Sequence, residues 1–163
     1  MDLSLNLPAY AIIDVVKGKA LIRETRFTNN KIRGGSKVPR AIRLKRIADD
    51  IAKILKDYPD VDAVVREKGF SHYPTTTQIL FRVVGISDLV VYESAGITDI
   101  EEIPPTTVKR LVAGDGKASK DDVADGVREH LVPAQKNYEF ETDDVSDAVA
   151  VGISYMIQKG LLE

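Results

Sequence analysis

The sequence contains no cysteine and only two histidines, His72 and His130, among its 163 residues. The absence of cysteine excludes disulfides, thiolate metal sites and cysteine nucleophiles, and it is compatible with a reducing compartment. Two histidines are too few for a metal site built from histidine. Any metal ion should therefore be a hard cation held by carboxylate oxygens.

Long hydrophobic runs are also missing from the sequence. No stretch of about 18 apolar residues is present, so we predict no transmembrane helix and no membrane partner. The opening MDLSLNLPAY lacks the basic start and apolar stretch of a signal peptide, and we expect a cytoplasmic protein. A length of 163 residues with 44% apolar residues suits one core, so we expect residues 1–163 to form a single domain.

The charge is distributed unevenly along the chain. Net charge is only −2, yet residues 26–46 contain eight basic residues and no acidic one. The remainder carries 15 basic against 25 acidic residues, an asymmetry that suits a basic contact surface combined with an acidic site. The charges alone are equally compatible with a solvated loop and helix face. The candidate DNA contacts in this segment are Arg33, Lys37, Arg40 and Arg43.

Hydrophobic periodicity predicts an α/β protein with helices around one sheet. The expected elements are strands at Pro8–Val16 and Lys19–Phe27, a helix at Arg40–Asp57, a strand at Asp62–Glu67, a helix at Pro74–Tyr92, a strand at Ile97–Ile103, and helices at Thr106–Val112, Lys120–Leu131 and from Thr142 or Asp143 to Gly160. The 74–92 helix is apolar on more than one face. We expect it to pack on the core and on a second subunit, although burial of both faces within one domain is the alternative.

Four acidic residues stand where metal-dependent chemistry could use them. Asp2 precedes the first strand, Glu67 ends the 62–67 strand, and the pair Asp144 and Asp147 lies near the start of the last helix. A spacing of three residues places that pair on one side of the helix. Carboxylates from different elements can neutralise two Mg²⁺ ions for phosphodiester hydrolysis. Each residue also has an ordinary explanation, since acidic residues in a first helical turn are favoured by the helix dipole alone.

These residues stand in motifs that resemble the RuvC family of Holliday-junction resolvases along nearly the whole chain. The motifs are Asp2-Leu3-Ser4 followed by Pro8 to Asp14, Val64 to Glu67 with Phe70 three residues on, Thr107 to Lys109, Val112 to Lys120, and Asp144 to Ala150. The last two regions are the most specific, because order, spacing and flanking apolar residues agree together.

The resemblance implies a ribonuclease H-like fold, with a mixed central sheet flanked by helices. It further implies a homodimer that makes paired nicks in four-way DNA junctions, with two Mg²⁺ ions per active site, Mn²⁺ as the alternative ion, and no small-molecule cofactor. The implied metal ligands are Asp2, Glu67, Asp144 and Asp147. Lys109 and Lys120 match positions that contact the scissile phosphate, and Lys117 belongs to the same DNA-binding region. Phe70 matches an aromatic residue that stacks on an unpaired base, with an ordinary core or surface phenylalanine as the alternative.

Two departures from the family pattern refine these expectations. Only Met1 precedes Asp2, where the family has a strand, and no proline-glycine pair follows Asp2. This divergence favours a phage-encoded branch acting in a bacterial host cytoplasm, and Asp14 is the substitute ligand if Asp2 is not one. The rival functions are a ribonuclease H-like nuclease acting on RNA–DNA hybrids or flaps, and a non-catalytic junction-binding protein of the same fold.

Overall fold

The structure is a computed structural model. It describes residues 1–32, 38–69 and 73–162. Three residues with predicted DNA contacts, Arg33, Lys37 and Phe70, lie outside the described residues, as does His72.

Ten elements follow one another in the described ranges. They are β1 (Ala9–Val16), β2 (Lys19–Phe27), α1 (Arg40–Asp57), β3 (Val65–Glu67), α2 (Pro74–Ala95), β4 (Glu101–Ile103), α3 (Pro105–Ala113), α4 (Lys120–His130), a short 3-10 helix (Pro133–Gln135) and α5 (Asp143–Gln158). The hairpin and α1 match the sequence prediction closely. β3 and β4 are shorter than predicted, and α2 continues past Tyr92 until Gly96 ends it with φ of 68°.

The four strands form two two-stranded sheets, which the first two residues of the chain join into one layer. β1 pairs antiparallel with β2, and β3 pairs in parallel with β4. Between these two pairs, Asp2 forms an antiparallel bridge with Ala9. The Met1 nitrogen donates to the Val65 carbonyl at 2.7 Å, and the Glu67 nitrogen donates to the Met1 carbonyl at 3.1 Å. Residues 1–2 therefore lie between β1 and β3, and the spatial order is β2, β1, residues 1–2, β3, β4.

Helices cover both faces of this sheet. Side chains alternate along β1, so Tyr10 and Ile12 pack towards α1 and α2, whereas Ala11 and Ile13 pack towards α5. α1 packs on α2, and α5 packs on β1 and β3 with α3 and α4 beside it. The predicted α/β class, with helices around one sheet, is confirmed.

Helix α2 has a buried face and an exposed apolar stripe. Val83, Val90 and Val91 are buried against α1 and the sheet. On the opposite side, a stripe of Phe81, Leu89 and Tyr92 remains 61%, 51% and 57% exposed. Despite its length, α2 lacks the hydrophobicity needed to cross a bilayer, and the same holds for every helix in the described ranges.

Candidate active site

Two of the predicted ligands lie beside each other in the sheet layer, Asp2 in the bridge to β1 and Glu67 at the end of β3. Asp2 follows directly after Met1, whose carbonyl accepts the hydrogen bond from the Glu67 backbone nitrogen. Asp2 is also fixed on its other side, since its backbone exchanges hydrogen bonds of 3.0 and 2.9 Å with Ala9. The sheet itself therefore sets the distance between these two carboxyl groups.

The other two, Asp144 and Asp147, lie in the first two turns of α5. The helix begins at Asp143 because the Thr142 hydroxyl accepts a hydrogen bond from the Val145 nitrogen at 3.2 Å and caps the first turn. Val145 is buried with Ala9 under the sheet, which anchors this end of α5 beside β1. The packing thus brings both acidic residues of α5 to the end of the sheet where Asp2 lies.

These carboxyl groups are partly buried, and they act on one another electrostatically. Burial, together with repulsion from the nearby Asp147 and Asp144 carboxylates, raises the pKa of Asp2 to about 6. Burial likewise raises the pKa of Glu67 to about 7, with added repulsion from Asp2 and Asp147. Burial raises the pKa of Asp147, while Lys120 opposes that shift. The four residues Asp2, Glu67, Asp144 and Asp147 are hereafter called the acidic cluster.

Two predicted phosphate ligands border the acidic cluster. The Lys120 Nζ atom lies 3.3 Å from Asp143 Oδ2 and 3.8 Å from Asp147 Oδ2. The Lys109 Nζ atom donates to the Ala118 carbonyl at 2.7 Å, which ties α3 to the segment before α4. The positive charge of Lys109 also opposes the increase in the pKa of both Glu67 and Asp147, so Lys109 interacts electrostatically with the cluster. Lys117, in the same region, is exposed.

The acidic cluster fits a hard divalent cation in its chemistry. Its donors are all carboxylate oxygens, the ligands preferred by Mg²⁺ and Mn²⁺, and partly buried carboxylates that repel one another are stabilised by a nearby positive charge. Within the three described ranges, no group of three acidic or histidine side chains stands close enough together to hold one ion.

The substitute ligand, Asp14, lies apart from the acidic cluster. Its carboxylate is 3.6 Å from the guanidinium of Arg23, and it is absent from the charges that shift the pKa of Glu67 or Asp147. Asp2, and not Asp14, therefore lies close to Glu67, Asp144 and Asp147.

In the described part of residues 26–46, several basic side chains are not free to form the predicted DNA-binding surface. Arg43 is only 8% exposed, and its guanidinium donates to the Leu5 carbonyl at 3.5 Å and to the Asn6 side-chain oxygen. It therefore holds the loop after Asp2 against α1 instead of facing solvent. Arg26 and Lys45 are paired with acidic neighbours. The exposed basic residues of the 26–46 segment that form no ion pair within the described chain are Lys31, Arg40 and Arg46.

Sequence reasoning missed Arg66, the residue before Glu67. Its side chain is 7% exposed, lies 2.8 Å from Glu102 of β4, and is also paired with Asp88 of α2. Because neighbouring strand residues point to opposite faces, this anchor directs Glu67 towards the acidic cluster. The sequence feature that could have indicated this buried ion pair is an arginine directly after the apolar residues Val64 and Val65 of a predicted strand.

Comparisons with known proteins agree on one family. A family model described as crossover junction endodeoxyribonuclease RuvC matches residues 2–155. The RuvC of Rhodospirillum rubrum is 28% identical over 155 residues, which cover 95% of this chain and 86% of that protein. The RuvC of Prochlorococcus marinus strain MIT 9312 is 27% identical over 161 residues, covering 98% of this chain and 96% of that protein.

Two solved structures share the fold. One is a Thermus thermophilus RuvC structure, with a TM-score of 0.80 and 21% identity, covering 98% of this chain and 94% of the other. The second is T. thermophilus RuvC in complex with a Holliday junction substrate, with a TM-score of 0.80, 20% identity, and coverage of 98% and 93%. The predicted ribonuclease H-like fold is thereby confirmed.

Proposed function

The chain belongs to the RuvC family of crossover junction endodeoxyribonucleases, and we propose that it resolves four-way DNA junctions by paired nicks at the acidic cluster. The observation that carries this proposal is the partly buried set of mutually repelling carboxyl groups, with a lysine at its edge. Such an arrangement is unfavourable for stability alone and suits cation binding. We further propose that residues 1–163 act as one nuclease domain.

RuvC proteins are metal-dependent nucleases, and we propose two Mg²⁺ ions per active site, with Mn²⁺ able to replace them. The proposed ligands are Asp2, Glu67, Asp144 and Asp147. Bound divalent cations supply Lewis acidity, which favours formation of hydroxide from water and stabilises the departing oxygen of the cleaved ester. The chain's own contribution is to hold carboxylates from two strands and one helix at a fixed end of the sheet.

The two lysines at the cluster are proposed to hold the scissile phosphate. Lys120 has an exposed side chain and reaches Asp143 and Asp147 across the rim of the site, so its ammonium can exchange a carboxylate partner for a phosphate oxygen. Lys109 is fixed by the Ala118 carbonyl, which leaves its charge close to Glu67 and Asp147. Together they offset the repulsion between a DNA phosphate and the acidic cluster.

We propose that the protein acts as a homodimer through the exposed stripe of α2. A four-way junction presents related strands, and symmetrical nicking requires two active sites linked by a two-fold axis. Phe81, Leu89 and Tyr92 form an apolar surface that α1 and the sheet do not cover. Soluble proteins usually avoid such surfaces unless they bind something.

Cleavage assays on matched substrates test this function. Four-way DNA junctions, flaps, RNA–DNA hybrids and linear duplexes of the same sequence are incubated with the protein in Mg²⁺. We expect symmetrical nicks in the four-way junction and little cleavage of the others. Preferred cleavage of hybrids or flaps would support the ribonuclease H-like alternative, whereas junction binding without nicks in Mg²⁺ or Mn²⁺ would support the non-catalytic one.

A further inference from the structure

Helix α2 contacts the chain on both sides of Glu67. On one side, the Arg66 guanidinium extends to α2, where its Nη1 atom donates to the Asp88 carboxylate. On the other side, Gly69 lies directly against α2, since a Cβ atom added at Gly69 would stand 2.5 Å from the Leu80 Cδ2 atom. The proposed metal ligand therefore lies between two points at which this helix holds the backbone.

The pairing of β3 with its neighbours holds Glu67 only weakly. This strand spans Val65–Glu67 and pairs with three residues of β4. On its other side, its described hydrogen bonds are made with Met1. A pair of strands this short is marginally stable by itself, so side-chain contacts decide how firmly Glu67 is held.

Arg66 joins β3 to two elements through separate nitrogen atoms. Its Nε and Nη2 atoms lie 2.8 Å from Glu102 Oε1 on β4, whereas Nη1 is bonded to Asp88 and lies 3.2 Å from the Ser87 hydroxyl on α2. A buried ion pair adds little stability compared with apolar side chains of the same volume, because the ions lose their hydration. The arrangement is therefore better explained by the fixed placement of α2 against β3 than by stability.

Asp88 also belongs to the side of α2 that carries the exposed apolar stripe. It follows Phe81 by seven positions and precedes Tyr92 by four, a spacing that places all three on one side of the helix. Its side chain is 52% exposed, and Leu89 of the stripe is the next residue. A subunit that covers this stripe would exclude water from Asp88, and the attraction between Asp88 and Arg66 would increase as the surroundings become less polar.

We propose that the Arg66–Asp88 pair couples subunit association to metal binding. A second copy of the chain on the stripe strengthens this pair, and the strengthened pair holds Glu67 in place beside Asp2. Glu67 held by a cation favours, in turn, the same placement of α2. Because a coupling free energy acts in both directions, each event promotes the other by the same factor.

In this scheme Arg66 and Asp88 are positioning residues, since they act on the site through Glu67. The inference rests on two parts of the proposed function, the homodimer and Glu67 as a metal ligand. It adds the prediction that a separated subunit binds metal less tightly than the dimer.

Mn²⁺ affinity tests the coupling without any cleavage assay. Free Mn²⁺ is measured by electron paramagnetic resonance in the parent protein, in Leu89→Glu to separate the subunits, in Asp88→Ala to detach Arg66 from α2, and in the double variant. We expect Leu89→Glu and Asp88→Ala each to weaken Mn²⁺ binding about 10-fold. The double variant should lose no more than either single variant, because both changes interrupt one connection. Light scattering should show that Asp88→Ala remains a dimer at the concentrations used.

Glu102→Ala is the matched control. It removes the other carboxylate bonded to Arg66 and leaves the contact with α2 in place. Adding Leu89→Glu to Glu102→Ala should therefore still weaken Mn²⁺ binding about 10-fold. Circular dichroism verifies that each variant is folded.

Hydrogen exchange without metal gives a second measurement that needs no change at Asp88. The amides of Glu67 and Lys68 donate to the Met1 and Ile103 carbonyls, and they should exchange about 10-fold more slowly in the parent dimer than in Leu89→Glu. Equal exchange and equal Mn²⁺ affinity in these two proteins would overturn the coupling, as would independent losses that multiply in the double variant. Either result in a dimeric parent that binds Mn²⁺ leaves the proposed function intact. A monomeric parent, or a dimeric parent that binds no Mn²⁺, would overturn both.

Discussion

The Lys120 ammonium lies 3.8 Å from the Asp147 carboxylate, so a proposed phosphate ligand and a proposed metal ligand neutralise each other across the rim of the acidic cluster. Lys120 is not the capping residue of α4 or of α5, and its side chain is 58% exposed. An exposed pair of this kind adds little to stability. We propose that its role is to place a positive charge where a DNA phosphate would enter a negatively charged site.

Replacement of Lys120 by alanine should therefore slow cleavage much more than it weakens binding. We expect the single-turnover cleavage rate of Lys120→Ala to fall about 100-fold, with junction affinity changed by less than about threefold. Lys120→Arg should keep part of the rate because it retains the charge. Lys117→Ala is the matched control, since Lys117 is exposed in the same region. Cleavage by Lys120→Ala at the parent rate would show that this lysine is only a surface ion pair.

Neutralising either acidic residue of α5 should abolish cleavage while leaving the fold intact. Asp144→Asn and Asp147→Asn keep side-chain size but lose the charge that a cation needs, and a loss of 3–4 orders of magnitude corresponds to roughly 4–5.5 kcal/mol. Junction affinity should stay the same or increase, because repulsion of phosphates is reduced. Asp143→Asn, in the same helical turn, should retain most activity. If the doubly substituted protein nicked junctions at a rate near the parent's, the ligand assignment would be wrong.

The raised pKa values of Asp2 and Glu67 predict opposite pH trends for stability and metal binding. A carboxyl whose pKa rises on folding favours the folded state when it is protonated, so the contribution of these two groups to stability without metal should be largest below about pH 4 and be lost by about pH 7. Mg²⁺ affinity should increase over the upper part of that range as the protons leave. Urea unfolding in chelator, with and without excess Mg²⁺, measures both effects. Glu67→Gln should reduce the pH-dependent loss of stability, and an unchanged profile in this variant would contradict the assignment.

Salt dependence should separate exposed basic residues from the buried Arg43. If about five phosphates are neutralised, log affinity should fall with a slope of about −4 to −5 against log salt. Joint replacement of Lys31, Arg40 and Arg46 by alanine should reduce this slope by up to about 2.7, since each lost phosphate contact accounts for about 0.9. Arg43→Ala should instead lower the free energy of unfolding and leave the slope unchanged, because its guanidinium binds Asn6 within the protein. A triple variant with the parent slope would place the DNA elsewhere.

A charge on the exposed stripe of α2 should dissociate the proposed homodimer. Leu89→Glu places a carboxylate in the middle of the stripe, whereas Thr76→Glu adds the same charge on another exposed side of the helix. Light scattering should give twice the chain mass for the parent and for Thr76→Glu, and one chain mass for Leu89→Glu. Circular dichroism verifies that each variant is folded. A parent protein that is monomeric at micromolar concentration, yet makes paired nicks, would refute the dimer proposal.

The sequence was most informative where local patterns decide the structure. Arg40–Asp57 was predicted to the residue because its apolar stripe has a helical period, and Thr142, one of two predicted caps, is the cap of α5. β3 and β4 are shorter than predicted because a strand extends only as far as its partner pairs with it, and that pairing is not local. The burial of Arg43 and Arg66 was missed for the same reason, since their partners are at least 21 residues away in sequence. A phage origin and a cytoplasmic location stay predictions.

The position of Met1 and Asp2 between β1 and β3 also bears on the order in which the protein folds. Met1 and Val65 are separated by 64 positions along the chain, so this bond closes a long loop. Closing such loops is slow compared with forming helices or the β1–β2 hairpin. The mutually repelling carboxylates are consequently brought together only after separate hydrophobic clusters have begun to form. We therefore expect the acidic cluster to form late in folding, when the start of the chain meets β3 and α5.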